Sequence, residues 1–145
     1  MGQANGRVRL FIDDMRVPSL NAINSLRWVA HRGQTNRARG YAKHLSGSKR
    51  WLAIIEQPAY EWQMADSHRF VTMIRIMGRS ERPYDDDNLI GGFKAIRDAL
   101  VKHGYLLNDN PKNATFKYIQ QREDCGPAIE IVIAKTAIDA ESRGD

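Results

Sequence analysis

Four short stretches rich in β-branched and apolar residues, one strongly amphipathic helical stretch and a length of 145 residues together predict one α+β domain. The expected architecture is a small mixed or antiparallel sheet with helices packed on it, all within residues 1–145. Arg7 to Asp13 (RVRLFID) alternates partly and reads as a strand. Pro18-Ser19-Leu20-Asn21 is a turn or short connecting loop. Residues 36–56 read as one long basic helix, or as two broken near Ser46-Gly47-Ser48. Asn36 is placed to cap its start, and Pro58 sits where it should end.

His68 to Met77 (HRFVTMIRIM) is a strand, and Gly78 to Tyr84 is a polar loop. Asn88 to His103 reads as one helix, closed by Gly104. Its Leu89, Phe93, Ile96 and Leu100 form one apolar stripe, while Asp87, Lys94 and Asp98 fall on the opposite side. Ala114 to Gln121 and Ala128 to Lys135 are further strands, with a turn over residues 122–127 between them. Residues 1–6 and 137–145 have the composition of disordered tails.

Hydrophobic content of 42% and charged content of 27% belong to a soluble globular protein. No apolar run approaches the roughly 20 residues a bilayer span needs, so no membrane partner is expected. The N-terminus lacks a signal-peptide core, and the lone Cys125 suits a reducing compartment. A cytoplasmic location follows as the expectation.

Charge is distributed unevenly around a net value of +5. Residues 1–50 hold ten of the 22 Lys/Arg but only two of the 17 acids, Asp13 and Asp14. From Met15 to Ile55 there is no acid, while Arg16, Arg27, Arg32, Arg37, Arg39, Lys43, Lys49 and Arg50 all lie there. Such a block recruits a polyanion, and nucleic acid fits best because each phosphate neutralised releases counterions. Trp28, Tyr41 and Trp51 are placed to stack on bases or to enter the core. A solvated basic helix face explains the same composition equally well.

Against this basic half stands RPYDDDNLIGG, residues 82–92. One aspartate, Asp87 or Asp86, is accounted for as a helix N-cap. The other two still repel each other, and a divalent cation held by hard oxygen ligands would relieve that repulsion. Gly91 and Gly92 each weaken a helix by roughly 0.5–1 kcal/mol relative to alanine, and would let a backbone such as a substrate's come close. Asn108-Asp109-Asn110-Pro111 is by itself an ordinary turn. Paired with the upstream cluster, Asp109 would complete a coordination sphere begun by Asp85 and Asp87.

This order of motifs resembles the RusA-type Holliday-junction resolvases: Asp85-Asp86-Asp87-Asn88, then Lys94, Asp98-Ala99-Leu100, Gly104 and Asn108-Asp109. Pro18-Ser19-Leu20-Asn21 is similar to an element near the start of that family. The resemblance implies a magnesium-dependent endodeoxyribonuclease, with manganese as a substitute and no small-molecule cofactor. It implies a homodimer that resolves four-way DNA junctions by paired nicks in recombination and repair. Carried over residue by residue, Asp85, Asp87 and Asp109 are the catalytic metal-binding acids and Lys94 the catalytic lysine. Two positions depart from the pattern: Lys94 lies seven residues beyond Asp87, and Asn108 stands where many members have a second acid.

Phosphodiester hydrolysis asks for an activated water, a stabilised leaving oxygen and a neutralised phosphoryl group, which metal-bound acids and a lysine supply. The histidines show no metal-ligand spacing. Arg27, Arg32, Arg37, Arg39, Lys43, Lys49 and Arg50 would hold phosphate backbones with little sequence reading. Two other readings share these features: a non-catalytic basic DNA-binding module, and a metal-dependent nuclease acting on flaps or other branched nucleic acid.

Overall fold

In a computed structural model, residues 3–4, 6–21 and 49–141 are described. The apolar stretches pair into one mixed sheet: β1 (Gln3–Ala4), β2 (Arg7–Asp13), β3 (Arg69–Met77), β4 (Ala114–Arg122) and β5 (Ala128–Ala134). Their order is β1-β2-β5-β3-β4. β5 runs antiparallel to both β2 and β3, whereas β3 and β4 are parallel. A parallel pair needs a crossover, supplied here by α2 (Asp86–Gly92) and α3 (Lys94–Lys102). The remaining helices are α1 (Lys49–Glu56) and α4 (Ala137–Glu141). The described residues thus form one α+β domain, as the sequence predicts.

Alternation places Val8, Leu10, Ile12, Val71, Met73, Ile129, Ile131 and Ile133 in one core cluster with the helices. Leu89, Phe93, Ile96 and Leu100 are all buried there, which confirms the stripe. Burying each such side chain contributes about 1.5–3 kcal/mol, so the crossover helices are anchored mainly by this row. Gly104 does close α3: its φ of +83° suits glycine, and an added Cβ would lie 2.1 Å from the Gln63 carbonyl oxygen.

Two expectations need correction. The helix expected over residues 88–103 is two, interrupted at Phe93 (φ −89°, ψ 3°), where the Arg97 Nη1 donates 2.6 Å to the carbonyl of Ile90. It also begins earlier, at Asp86. The turn expected over residues 122–127 is present, and it carries the chain across the end of β3, which lies between β4 and β5; there the Glu123 N–H donates to Met77 O at 3.2 Å. Parts of both expected tails are structured. Gln3–Ala4 pairs with β2, and Thr136 starts α4 by accepting the Asp139 N–H at 3.1 Å. Of the helix expected over residues 36–56, the part Lys49–Glu56 is seen and ends before Pro58. The rest lies outside the described residues. Among the described residues, no helix is long and apolar enough to cross a membrane.

Candidate functional site

The acidic turn is held from below by the sheet. Arg75 on β3 is 2% exposed, and its Nη1 donates to Arg82 O at 2.9 Å and to Gln120 Oε1 at 2.7 Å. Its Nη2 reaches Glu81 Oε2 at 3.1 Å, and its guanidinium lies 3.7 Å from the centre of the Tyr84 ring. Gln120 on β4 accepts the Tyr84 N–H and donates to the Tyr84 carbonyl, both at 2.9 Å. Arg122 donates to the carbonyls of Gly78, Arg79 and Glu81. The loop before Asp85 therefore has most of its carbonyls tied to two strands.

Asp85 is the N-cap of α2: its Oδ1 accepts the Asn88 N–H at 2.9 Å. Both its oxygens also accept from the Asn88 side-chain amide, at 3.1 and 3.2 Å. The cap is thus neither Asp86 nor Asp87, because the helix starts one or two residues earlier than the apolar pattern marks. Asn88 Oδ1 in turn accepts the Asn21 N–H at 2.8 Å. The Tyr84 hydroxyl donates to Val17 O at 2.8 Å. Two stretches far apart in sequence, residues 17–21 and 84–88, are therefore stitched together.

The same contact explains the glycine pair. A Cβ on Gly92 would lie 2.0 Å from Pro18 O, and one on Gly91 would lie 2.7 Å from the Leu20 Cβ. The backbone that approaches these glycines is the chain's own, not a substrate's. Beside it lies a cavity of about 290 Å³ whose lining includes Pro18, Leu20, Trp51, Lys94 and Asp98. Its wall is largely apolar, with a cation and an acid from α3 among its lining residues.

Asp85, Asp86 and Asp87 are exposed, and among the described residues no cation pairs with any of them. Lys94 Nζ instead pairs with Asp98 Oδ2 at 3.0 Å, one helical turn away on the exposed side of α3. Asp109 sits in the exposed stretch 107–112; its N–H donates to Asn108 Oδ1 at 2.7 Å. Its carboxylate is close enough to Tyr118 to help raise that phenol's pKa, though burial is the larger cause and Arg97 opposes both. Arg97 Nη1 donates to the Tyr118 hydroxyl at 3.0 Å.

The donor chemistry of Asp85, Asp87 and Asp109 fits a hard divalent cation, since these are carboxylates without cationic partners. Their positions are less convergent. Among the described residues, no three of His, Cys, Asp or Glu lie close enough to hold a metal ion. Of the basic residues, Arg27, Arg32, Arg37, Arg39 and Lys43 lie outside the described residues. Lys49 and Arg50 open α1, which leads directly into Trp51 and the cavity shared with Lys94.

Sequence reasoning missed Asn88 as the link to Asn21, and it missed Arg75 and Gln120. Arg75 carries a legible signal, a charge inside the buried strand RFVTMIRIM, where it demands polar partners. Gln120 gives none beyond its alternation with Phe116 and Tyr118. In comparisons with known proteins, neither a family model nor a curated protein matches the chain.

Proposed function

We propose that this chain is a magnesium-dependent endodeoxyribonuclease that resolves four-way DNA junctions by paired nicks, in the manner of the RusA-type resolvases its motifs resemble. One observation carries the reading. Asp85, Asp86 and Asp87 are consecutive exposed carboxylates with no cation beside them among the described residues, although only Asp85 serves as a cap. Like charges so close repel, and a doubly positive ion is the partner that relieves them.

In this mechanism Asp85, Asp87 and Asp109 would hold the metal, and manganese would substitute for magnesium. When bound, the ion supplies an acidified water and neutralises charge on the phosphoryl oxygens. Asn88 keeps the Asp85 carboxylate oriented through its amide and backbone hydrogen bonds. Lys94 exchanges Asp98 for a phosphate oxygen. That exchange is cheap, because an exposed i, i+4 pair is worth only about 0.2–0.5 kcal/mol. The basic residues from Arg27 to Arg50 bind phosphates. A two-fold homodimer in the cytoplasm would bring two such sites to opposing strands of one junction.

The test is incubation of the chain with a four-way junction and a matched linear duplex, with magnesium or with chelator. Paired nicks in the junction alone, only with magnesium, are expected; no magnesium-dependent product would end the reading. A second reading, a non-catalytic DNA-binding module, is favoured by the complete use of Asp85 as a cap and by the lack of a three-acid cluster among the described residues. Melting with and without magnesium separates the two, since a metal site raises the midpoint and a cap does not.

A further inference from the structure

The buried arginine on β3 is an expensive way to hold a loop. Taking a guanidinium to 2% exposure carries a large desolvation cost, and its Nε has no hydrogen-bond partner. Glu81 balances the charge, and an apolar pair of similar volume would fill the space at least as stably. An apolar pair could not, however, fix the direction of the backbone that follows. The planar donors of Arg75 take Arg82 O, Gln120 Oε1 and Glu81 Oε2 at once, while its flat face covers Tyr84. Gln120 then holds Tyr84 at both its N–H and its carbonyl, that is, at the peptide groups before and after its Cα. The next residue is Asp85.

We propose that Arg75 and Gln120 are positioning residues for the Asp85 carboxylate, setting the geometry with which it meets a divalent cation. The role rests on the nuclease reading above and extends it to two side chains that touch neither substrate nor metal. Arg75 orients the Gln120 amide, Gln120 fixes the Tyr84 peptide, and that peptide sets where the Asp85 side chain leaves the backbone. The Tyr84 hydroxyl bond to Val17 O and the Asn88 bond to Asn21 brace the far side. Partners bonded directly to a metal ligand typically change metal affinity or activity by about 10–100-fold when removed, and Gln120, acting through the Tyr84 backbone, is expected at the low end of that range.

The experiment compares wild type with Gln120→Leu, a substitution of similar volume at a half-buried strand position. Manganese affinity is measured on the DNA-free protein by electron paramagnetic resonance. Junction cleavage gives the half-saturating magnesium concentration, kcat and KM, and melting gives Tm. The expected result is manganese binding and magnesium half-saturation weakened about tenfold, with KM for the junction unchanged. Wild-type metal affinity in Gln120→Leu, whatever its Tm, overturns the proposal and leaves the network a plain loop brace.

If Gln120→Leu does not fold, Gln120→Glu replaces it. That variant keeps the acceptor for Arg75 and the Tyr84 N–H but loses the donor to the Tyr84 carbonyl. Weakened manganese binding is again expected, and wild-type binding again overturns the role. Wild-type protein that neither binds manganese nor cuts the junction removes the nuclease reading itself, and this role falls with it. That arm is read on wild type alone, so the two failures are distinguishable.

Discussion

Two loops carry the candidate acids, and they are built in opposite ways. The loop from Gly78 to Tyr84 leads into Asp85 with its carbonyls tied to Arg75, Gln120 and Arg122 on the sheet. The stretch 107–112, which carries Asp109, is exposed throughout. Its own ties are mostly short-range, such as the Asp109 N–H to Asn108 Oδ1 and the Asn113 N–H to Asn110 Oδ1. Among the described residues its longer-range bonds lie at its end, where His68 Nδ1 meets Lys112 O at 2.9 Å and the Arg69 N–H donates to Asn113 O. Of the three candidate acids only Asp85 has its carboxylate fixed by hydrogen bonds among the described residues, and no three acids converge there, so the proposed metal site would be complete only if Asp109 moved toward the helix start.

The comparison breaks most sharply at Asp85, where cap and ligand roles can be pulled apart. Asn caps helices about as well as Asp, so Asp85→Asn should leave Tm near wild type while removing charge from the proposed metal site. Cleavage should fall to the level of the chelator control, with junction affinity retained. Asp85→Ala should add a stability loss of about 0.5–2 kcal/mol, visible by melting. Asp109→Asn should abolish cleavage just as fully with no change in Tm, because its carboxylate makes no hydrogen bond or ion pair among the described residues. Full activity in Asp85→Asn would reduce that residue to a cap.

The next effect in size concerns the brace between Pro18 and α2. Gly92→Ala places a methyl carbon 2.0 Å from Pro18 O, which backbone must shift to avoid. Overpacking of that kind costs about 1–3 kcal/mol, to be read as a lower denaturant midpoint at unchanged m-value. Asn108→Ala in the loose loop should cost well under that, since the side-chain bond it removes among the described residues is local. Equal losses at the two positions would mean that the second loop is as firmly held as the first.

Much of this was legible in the sequence, and the failures have a common cause. Period and composition located β2, β3, β4 and β5 to within a residue and placed Leu89, Phe93, Ile96 and Leu100 in the core. The break at Phe93 was not legible, because the apolar stripe continues through it in phase. The glycines beside it do let a backbone come close, as the sequence suggests, but that backbone is Pro18 of the same chain, which no local pattern indicates. At the site, the acids were visible as a charge anomaly. The residues that aim them were not, since Gln120 and Asn88 act through partners 36 and 67 positions away in sequence. Local pattern reports what a residue is, and only tertiary contact reports what it holds.

The smallest expected effect tests whether the loose loop keeps its place in solution. Tyr118 has its pKa raised from the ordinary 10.0, first by burial, with Asp109 adding to the rise and Arg97 opposing it by charge and hydrogen bond. Tyr105, fully buried with no partner for its hydroxyl, is raised by burial alone. Both phenols therefore hold their protons more tightly in the folded chain than in the unfolded one. Below about pH 10 both states are protonated and the stability they contribute is complete; above it the unfolded chain ionises first and stability falls. Asp109→Asn removes one upward push, so the Tyr118 phenolate should appear at lower pH than in wild type, read by ultraviolet titration and assigned with Tyr118→Phe. The Tyr105 titration should not move. An unchanged Tyr118 curve would mean that Asp109 spends its time away from the ring, and the third acid would then have to be brought in by the substrate from further off.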